Sequence, residues 1–513
     1  MMAAQRVNRQ WHLSTLLSNR VRVRPSQDPA ISSISSDSRT VVPGSLFLAC
    51  AGEQQHGLDF VLQVLEQGAA AILCEPGGDW PQAQIDALAT EIAVPLLSME
   101  GLSQQLSQLA GRFYGEPSHE MKVIGITGTN GKTSCSQFLA EALQASMRCG
   151  IVGTLGSGFP GALQAGRHTT PEPVVLQSIL AELRDQGAQA VAMEVSSHAL
   201  QQGRVAAVRF ECAVLTNLSR DHLDFHGDMA GYAAAKQRLF EQPGLRCAVL
   251  NLDDPFGWSL LERLPETVRV VAYGLSRPDR PLPGRIKDWL WSQAIKPIRQ
   301  GMHIQLESSW GAGVIDSRLL GRFNVSNLLA VLAVLLEQGV PMAQALQRLS
   351  ALRRVPGRME CFGGGEQPLV VVDYAHTPDA LEQAITALRP HCTGRLICLL
   401  GCGGDRDSGK RPLMGALAER LCDRVIVTDD NPRNEDGDQI VADILAGMSR
   451  PDAVQVQRNR AEAINRAVAE SQAGDLVLVS GKGHETTQLC GDLSLCFSDR
   501  EQVQKALAGV VGR

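Results

Sequence analysis

No long run of lysine or arginine occurs in this chain, and its formal net charge is -6. A nucleic-acid binder needs a concentrated basic field to displace counterions from phosphates, so no nucleic-acid partner is expected. Aromatic residues are scarce at 4%, yet 44% apolar and 20% charged residues still describe an ordinary soluble globular chain. No C-x-x-C pair is found among the 13 cysteines. Their odd number and scatter argue against disulfide staples and for free thiols, mostly small buried hydrophobes, in a reducing compartment. The segment MMAAQRVNRQWHLSTLL has no apolar core of a signal peptide. The longest apolar run, residues 328–336, is under half a membrane span and is bounded by Asn327 and Glu337. Internal repeats and low-complexity tails are absent as well. The expected protein is cytoplasmic, without membrane insertion.

What is present is a succession of short apolar strands, amphipathic helices and turn clusters over 513 residues, too many for one core. Three blocks are expected, with boundaries at 1–103, 104–355 and 356–513. The first is a small α/β domain, with SLFLAC and AAAILCE as buried strands around the helix FVLQVLEQG. The second opens with MKVIGITG running into a glycine loop and then the helical SCSQFLAEALQASM, followed by AVAMEV, CAVLTN, CAVLNLD and VRVVAYG. Alternating strands and helices predict a P-loop-type, mostly parallel sheet covered on both faces. The third, with LVVVDYA, RLICLLGC, RVIVTDD and DLVLVSGKG, reads as a doubly wound α/β domain. In such sheets ligands lie beyond the carboxyl ends of the strands, where the polar clusters of this chain recur.

The loop GITGTNGKTSC departs from the strict phosphate-loop pattern, because Ile126 stands where a glycine is usual. The strand before it and helix after it restore the assignment. Gly128 and Gly131 let backbone N–H groups approach phosphate oxygens, Lys132 brings a mobile positive charge, and the Thr133 hydroxyl can bind magnesium. Glu194, at the end of AVAMEV, is a hard oxygen ligand of the kind a nucleotide-bound magnesium needs. His222, in TNLSRDHLDFHG, reads either as a second ligand or as a surface imidazole.

The blocks TGTNGKT, MEVSSH, TNLSRDHLDFHG, YAAAK, GRFNVSNLLA, GRME, VVDYAHTPDAL, GCGGDRDSGKRP, TDDNPR and GKGHE occur in this order between Thr127 and Glu485. In this the chain resembles the Mur ligases, ATP-dependent enzymes that extend the peptidoglycan precursor peptide, and among them the diaminopimelate-adding members. G-T-N-G-K-T is the loop variant of that family, which accounts for Ile126.

The resemblance implies an acyl-phosphate mechanism, since a carboxylate is a poor electrophile and must approach the γ-phosphate of a polyanion before an amine can attack it. It implies two magnesium ions held by Thr133, Glu194, His222 and a carbamylated Lys236; by its residues alone, Lys236 would be a solvated lysine on a helix face. ATP contacts are implied for Gly128, Thr129, Asn130, Gly131, Lys132, Thr133, Ser134, Asn324, Arg358 and Asp373. The residues themselves leave Asn324 open as a helix N-cap and His376 as a turn residue before Pro378. For the UDP-muramoyl dipeptide the implied contacts are Ser36, Ser38, Gln54, Thr169, Thr170, Ser196, Gln202 and Arg204. Family members commonly carry Asp-Gly where this chain has His56-Gly57. For diaminopimelate they are Arg406, Asp430, Asn431, Pro432, Arg433, Gly481 and Glu485. A guanidinium that pairs the second carboxylate of diaminopimelate is left unpaired by lysine, which discriminates more strongly than a missing methylene. DNPR and the uridine-type first block argue against a lysine-adding ligase and a folylpolyglutamate synthase. A monomer is expected.

Overall fold

The computed structural model describes residues 10–52, 55–298 and 301–511. They form two compact units: one draws on the chain up to Ile124, Met147–Glu211 and Gln242–Gly244, the other on Gly125–Ser146, Cys212–Glu241 and the chain from Leu245 onward.

In the first unit, strands Ser33–Ser35, Ser45–Ala49, Ala71–Cys74 and Leu96–Ser98 pair in this order, all parallel. Every residue of the two inner strands is buried, as required where helices cover both faces of a parallel sheet. Side chains alternate across the pleat. Leu46, Leu48 and Leu73 join Leu109 and Phe113 of helix Leu102–Tyr114 on one face, whereas Phe47, Ile72 and Cys74 join Val61 and Val64 of helix Val61–Glu66 on the other. A second group of strands, Cys149–Gly153, Gly156–Phe159 and Ala162–Gln164, runs antiparallel, and Cys149–Gly153 pairs in parallel with Ala190–Glu194.

In the second unit, strands Phe210–Leu215, Cys247–Asn251, Arg269–Gly274 and Asp288–Ile298 pair in parallel succession. Two antiparallel strands, Gly301–Ser308 and Gly313–Ser317, extend them. Helix Arg322–Glu337 is apolar around most of its circumference and buried along nearly all its length, as expected of a core helix. It packs on helix Lys132–Leu143 and on strand Arg269–Gly274. The apolar run at 328–336 is therefore core, and no described helix is long and apolar enough to cross a membrane.

A further sheet in this unit has the order Glu360–Gly363, Leu369–Asp373, Leu476–Ser480, Leu396–Leu400, Arg424–Val427 and Gln455–Val456, parallel except for its first pair. Alternation again serves both faces, with Leu396, Cys398 and Leu400 in one cluster and Ile397 and Leu399 in the other. The polar loops anticipated after LVVVD, RLICLL, RVIV and LVLVS all leave from the carboxyl ends of these strands. All thirteen cysteines are free thiols.

Candidate nucleotide and amino-acid sites

Strand Lys122–Thr127 leads through the glycine loop into helix Lys132–Leu143. Gly128 has φ +149, and a Cβ there would fall 1.9 Å from the Thr216 hydroxyl oxygen, so only glycine fits this turn. The loop is pinned from outside: the Thr129 N–H donates to the Asn217 carbonyl at 2.9 Å, the Asn130 N–H to Asn217 Oδ1 at 2.9 Å, and Thr216 Oγ1 to the Asn130 carbonyl at 2.6 Å. Lys132 Nζ donates to the carbonyls of Gly128 and Thr129, each at 2.8 Å. Arg358 Nη2 donates to Thr133 Oγ1 at 3.2 Å, and its guanidinium lies 4.2 Å over the Tyr374 ring. Asp373 accepts from the N–H groups of Met359 and Ala375 at 2.7 and 2.9 Å, fixing the backbone that carries Arg358. The loop also touches helix Pro378–Leu388, whose Asp379 accepts from Asn130 Nδ2 and Ser219 Oγ at 3.0 and 3.3 Å.

Lys236 is no solvated lysine: it is 1% exposed, and the reading from its residues alone fails because helix Met229–Gln237 lays it against the loop. Its Nζ donates to the Gly128 carbonyl at 2.8 Å and lies 4.3 Å from the Tyr232 ring centroid. Burial, reinforced by the charge of Lys132, holds its amine well below the ordinary lysine range. On a neighbouring segment, His222 takes a left-handed backbone, φ 54, at the entry to helix Leu223–His226 and is partly exposed. Asp221 is 5% exposed and faces His222 Nε2 at 3.4 Å and His376 Nε2 at 3.8 Å. Burial alone would raise its carboxyl, but His376, His222 and Lys410 together hold it far below the usual carboxylate range. The turn-residue alternative for His376 holds in its local bond, Nδ1 to the Tyr374 carbonyl at 2.8 Å, while its other nitrogen faces Asp221.

Asn324 does not cap a helix. Gly321 holds the cap position, and Asn324, one turn inside, donates from Nδ2 to the Leu320 carbonyl at 2.8 Å and accepts from Asn327 Nδ2 at 3.2 Å. The helix begins earlier than the polar residue suggests because Gly321, at φ +90, supplies the turn.

The DNPR loop is assembled by three segments. The Gly404 N–H donates to the Asn431 carbonyl at 2.9 Å, and Arg433 Nη1 donates to the Gly404 carbonyl at 2.7 Å. From the hairpin Thr487–Cys490/Leu493–Cys496, the Leu489 N–H donates to Asn431 Oδ1 at 3.0 Å, and the Arg433 N–H donates to the Leu489 carbonyl at 3.0 Å. Asp430 and Asn431 are buried, Arg433 is partly buried, and Arg406 is exposed with Nη1 on the Asp405 carbonyl at 2.9 Å. Asn431 Nδ2 donates to Glu485 Oε2 at 2.9 Å. A Cβ on Gly481 would meet Asp430 Oδ2 at 2.4 Å, so the two loops interlock. Arg406, Asp430, Asn431, Pro432, Arg433, Gly481 and Glu485 thus occupy neighbouring loops at one end of this sheet.

In the first unit, Glu194 is fully buried, accepting from the Thr154 N–H and Oγ1 at 2.9 and 3.0 Å. Thr170 Oγ1 donates to the Glu194 carbonyl and accepts from the Ser196 N–H, at 2.9 and 3.0 Å. Thr169 shares a 3.0 Å bond with Thr154, Ser196 caps helix Ser197–Gln201, and Arg204 bonds the Thr170 carbonyl, Gln202 and Glu172. Thr169, Thr170, Glu194, Ser196, Gln202 and Arg204 therefore form one polar cluster. Ser36 is exposed and Ser38 buried, both just after strand Ser33–Ser35; Gln54 lies outside the described residues. His56, the departure from Asp-Gly, serves instead as a cap for the short helical turn that follows. Its Nδ1 accepts from the Leu58 N–H at 3.0 Å, while its own N–H donates to Asp59 Oδ2 at 2.9 Å.

Asp221, Tyr232, Asn327, Asp379 and Lys482 carry no signal of their own in the sequence. All five sit inside the quoted blocks TNLSRDHLDFHG, YAAAK, GRFNVSNLLA, VVDYAHTPDAL and GKGHE, so adjacency is the available clue. Asp379 and Tyr232 owe their places to contacts between distant segments.

Three family models match the chain: "Mur ligase family, catalytic domain" over residues 30–114, "Mur ligase middle domain" over 126–335 and "Mur ligase, glutamate ligase domain" over 357–483. A protein of Coxiella burnetii named UDP-N-acetylmuramoyl-L-alanyl-D-glutamate--2,6-diaminopimelate ligase is 50% identical over 483 residues, 94% of this chain and 96% of that one. A Pseudomonas aeruginosa protein of the same name is 50% identical over 491 residues, covering 96% and 98%. A solved structure with that name aligns at TM-score 0.67 and 33% identity over 98% of this chain and all of the other. MurF from Acinetobacter baumannii, at 19% identity and TM-score 0.67, shares the fold over 98% of this chain and 99% of its own. The chain belongs to the Mur ligase family of ATP-dependent, peptide-forming ligases.

Proposed function

We propose that the protein ligates meso-diaminopimelate to UDP-N-acetylmuramoyl-L-alanyl-D-glutamate through an acyl phosphate, giving the UDP-muramoyl tripeptide, ADP and phosphate for peptidoglycan synthesis in the cytoplasm. The observation that carries this reading is the 50% identity, over nearly the whole chain, to ligases of that name. The interlocked DNPR and GKGHE loops support it. In this reading residues 1–103 bind the uridine nucleotide, 104–355 bind ATP and 356–513 bind the amino acid, with the protein acting as a monomer.

Gly128, Thr129, Asn130, Gly131, Lys132, Thr133 and Ser134 bind the phosphates, and Asn324, Arg358 and Asp373 the rest of the nucleotide. Ser36, Ser38, Gln54, Thr169, Thr170, Ser196, Gln202 and Arg204 hold the muramoyl dipeptide. Thr133, Glu194, His222 and Lys236 are the magnesium ligands. No described group of three or more His, Cys, Asp or Glu side chains is arranged to hold a metal, and an unmodified ammonium at Lys236 would repel one. The donor set suits magnesium once Lys236 becomes an anionic oxygen ligand. Its depressed basicity favours that change: the neutral amine forms an N–C bond to carbon dioxide and releases one proton, leaving a carbamate. Bound magnesium would supply positive charge that lets the dipeptide carboxylate approach the γ-phosphate.

Within this chemistry Lys132 places positive charge beside the transferring phosphoryl group and the later tetrahedral oxyanion. Arg433 and Arg406 take the carboxylates of the incoming amino acid, and Glu485 its ammonium. Phosphate release measured with the muramoyl dipeptide, ATP, magnesium and bicarbonate should depend on diaminopimelate and be far slower with lysine. Release that ignores the amino acid would sink the reading. Arg433→Ala should weaken use of diaminopimelate roughly a hundredfold or more while ATP binding stays within about twofold, because a guanidinium–carboxylate pairing is lost on one substrate only. Unchanged turnover would defeat the specificity argument.

A further inference from the structure

Lys482 has been given no part in binding or chemistry, although its ammonium is fully buried beside the DNPR loop. Its Nζ donates to Asn431 Oδ1 at 2.9 Å and to Glu485 Oε2 at 2.8 Å. Asn431 Nδ2 donates to the same Glu485 oxygen at 2.9 Å. The three side chains close a triangle in which one carboxylate oxygen takes two hydrogen bonds and the amide uses both its ends. Glu485 Oε1 accepts from no described residue, and the Glu485 side chain remains 28% exposed. One oxygen is thus held from behind and the other is left for a ligand.

A fully buried ammonium is costly unless a carboxylate compensates it, and a carboxylate at the edge of a pocket resists protonation only if a cation stands near. Burial would push the Glu485 carboxyl up, but the Lys482 charge and the bonds from Lys482 and Asn431 bring it below the ordinary glutamate value. Arg460, whose guanidinium is fully buried and paired with Asp499 at 2.7 Å, donates from Nη2 to the Ser480 carbonyl at 2.9 Å and so steadies the strand end before Lys482.

We infer that Lys482 is the positioning residue of the amino-acid site: it locks Asn431 and Glu485 into one recognition unit through Glu485 Oε2, leaving Oε1 for the ammonium of a diamino acid. Lys482 acts through Glu485 and touches no substrate itself. The inference rests on the proposed reading that Glu485 binds the incoming amino acid.

The test is steady-state kinetics of Lys482→Met, Glu485→Gln and the double variant, each varied separately in ATP, muramoyl dipeptide and diaminopimelate. Lys482→Met should raise KM for diaminopimelate roughly tenfold or more, since a small misplacement of a binding group is felt strongly, and leave the other two KM values within about twofold. It should also move the acid limb of kcat/KM for diaminopimelate to higher pH, because Glu485 loses its compensating charge. In the Glu485→Gln background, adding Lys482→Met should cost less than about threefold. A parallel rise in all three KM values, an unmoved acid limb or fully multiplicative effects would each overturn the assignment. Should Lys482→Met fail to fold, Glu485→Asp at the partly exposed position decides. It keeps the charge but withdraws it from Lys482, so an acid limb of kcat/KM for diaminopimelate that does not move to higher pH would reject the inference, and such a move together with a selective rise in KM would uphold it. Wild-type protein that releases no phosphate in response to diaminopimelate would instead condemn the functional reading itself.

Discussion

At the scale of single residues, Lys236 and Gln177 show two opposite ways of burying polarity. Lys236 is buried with a hydrogen bond and a depressed basicity beside the glycine loop. Lys236→Ala should lose most activity and regain part of it with added short carboxylates, and the labelled carbamate signal seen by NMR after ¹³C-bicarbonate should vanish in the variant. Full activity of the untreated variant, or no such signal in the wild type, would remove the carbamate from the account. Gln177, in helix Pro173–Asp185, is fully buried, and neither its Oε1 nor its Nε2 has a partner among the described residues. Each unsatisfied group costs about 1–3 kcal/mol, so Gln177→Leu should stabilise the protein by about 1–2 kcal/mol. The check is a higher urea midpoint at an unchanged slope; a lower midpoint would mean that the amide has a binding role.

At the scale of elements, the DNPR loop depends on glycines where backbones pass closely. A Cβ on Gly404 would stand 1.9 Å from the Pro432 carbonyl oxygen, and the same residue bonds Asn431 and Arg433 through its backbone. Gly404→Ala must therefore displace DNPR. KM for diaminopimelate should rise roughly tenfold to a hundredfold with little change in ATP binding; a variant with wild-type kinetics would show that DNPR tolerates the shift. The strands and their following loops were legible from periodicity and turn residues, as was the glycine loop; the residues clustered around Glu194 and DNPR were singled out through the family resemblance. The hairpin Thr487–Cys490/Leu493–Cys496 that completes the loop was not, since the segment it bridges to, at Arg433, is remote in the sequence and no local pattern marks it.

For the whole molecule, pH couples these sites to stability. His484 is largely buried, and burial, with Arg358 next in weight, lowers its imidazole to about 4. The unfolded chain therefore takes up a proton near pH 6.5 that the folded state refuses until about pH 4. Stability should fall as pH drops through that window. Asp221 works in the same direction lower down: its folded value lies below the unfolded one, so its contribution is full above the ordinary carboxylate range and is lost as pH falls through it. Thermal melts from pH 8 to pH 4 should decline below about pH 6.5, and His484→Gln should flatten the upper part of that decline. An identical slope in the variant would clear His484 of the effect.

By itself the sequence determined the run of strands and helices, the glycine loop between strand and helix despite Ile126, and the family. Those features are written in local periodicity, in glycines at turns and in short contiguous motifs. Only the tertiary structure decided that Lys236 and Lys482 lose their water, that Asp221 stands between two histidines, and that Asn324 lies inside its helix and not at the cap. Desolvation and pairing depend on which distant segments cover a side chain, and no residue's own neighbours along the chain carry that information.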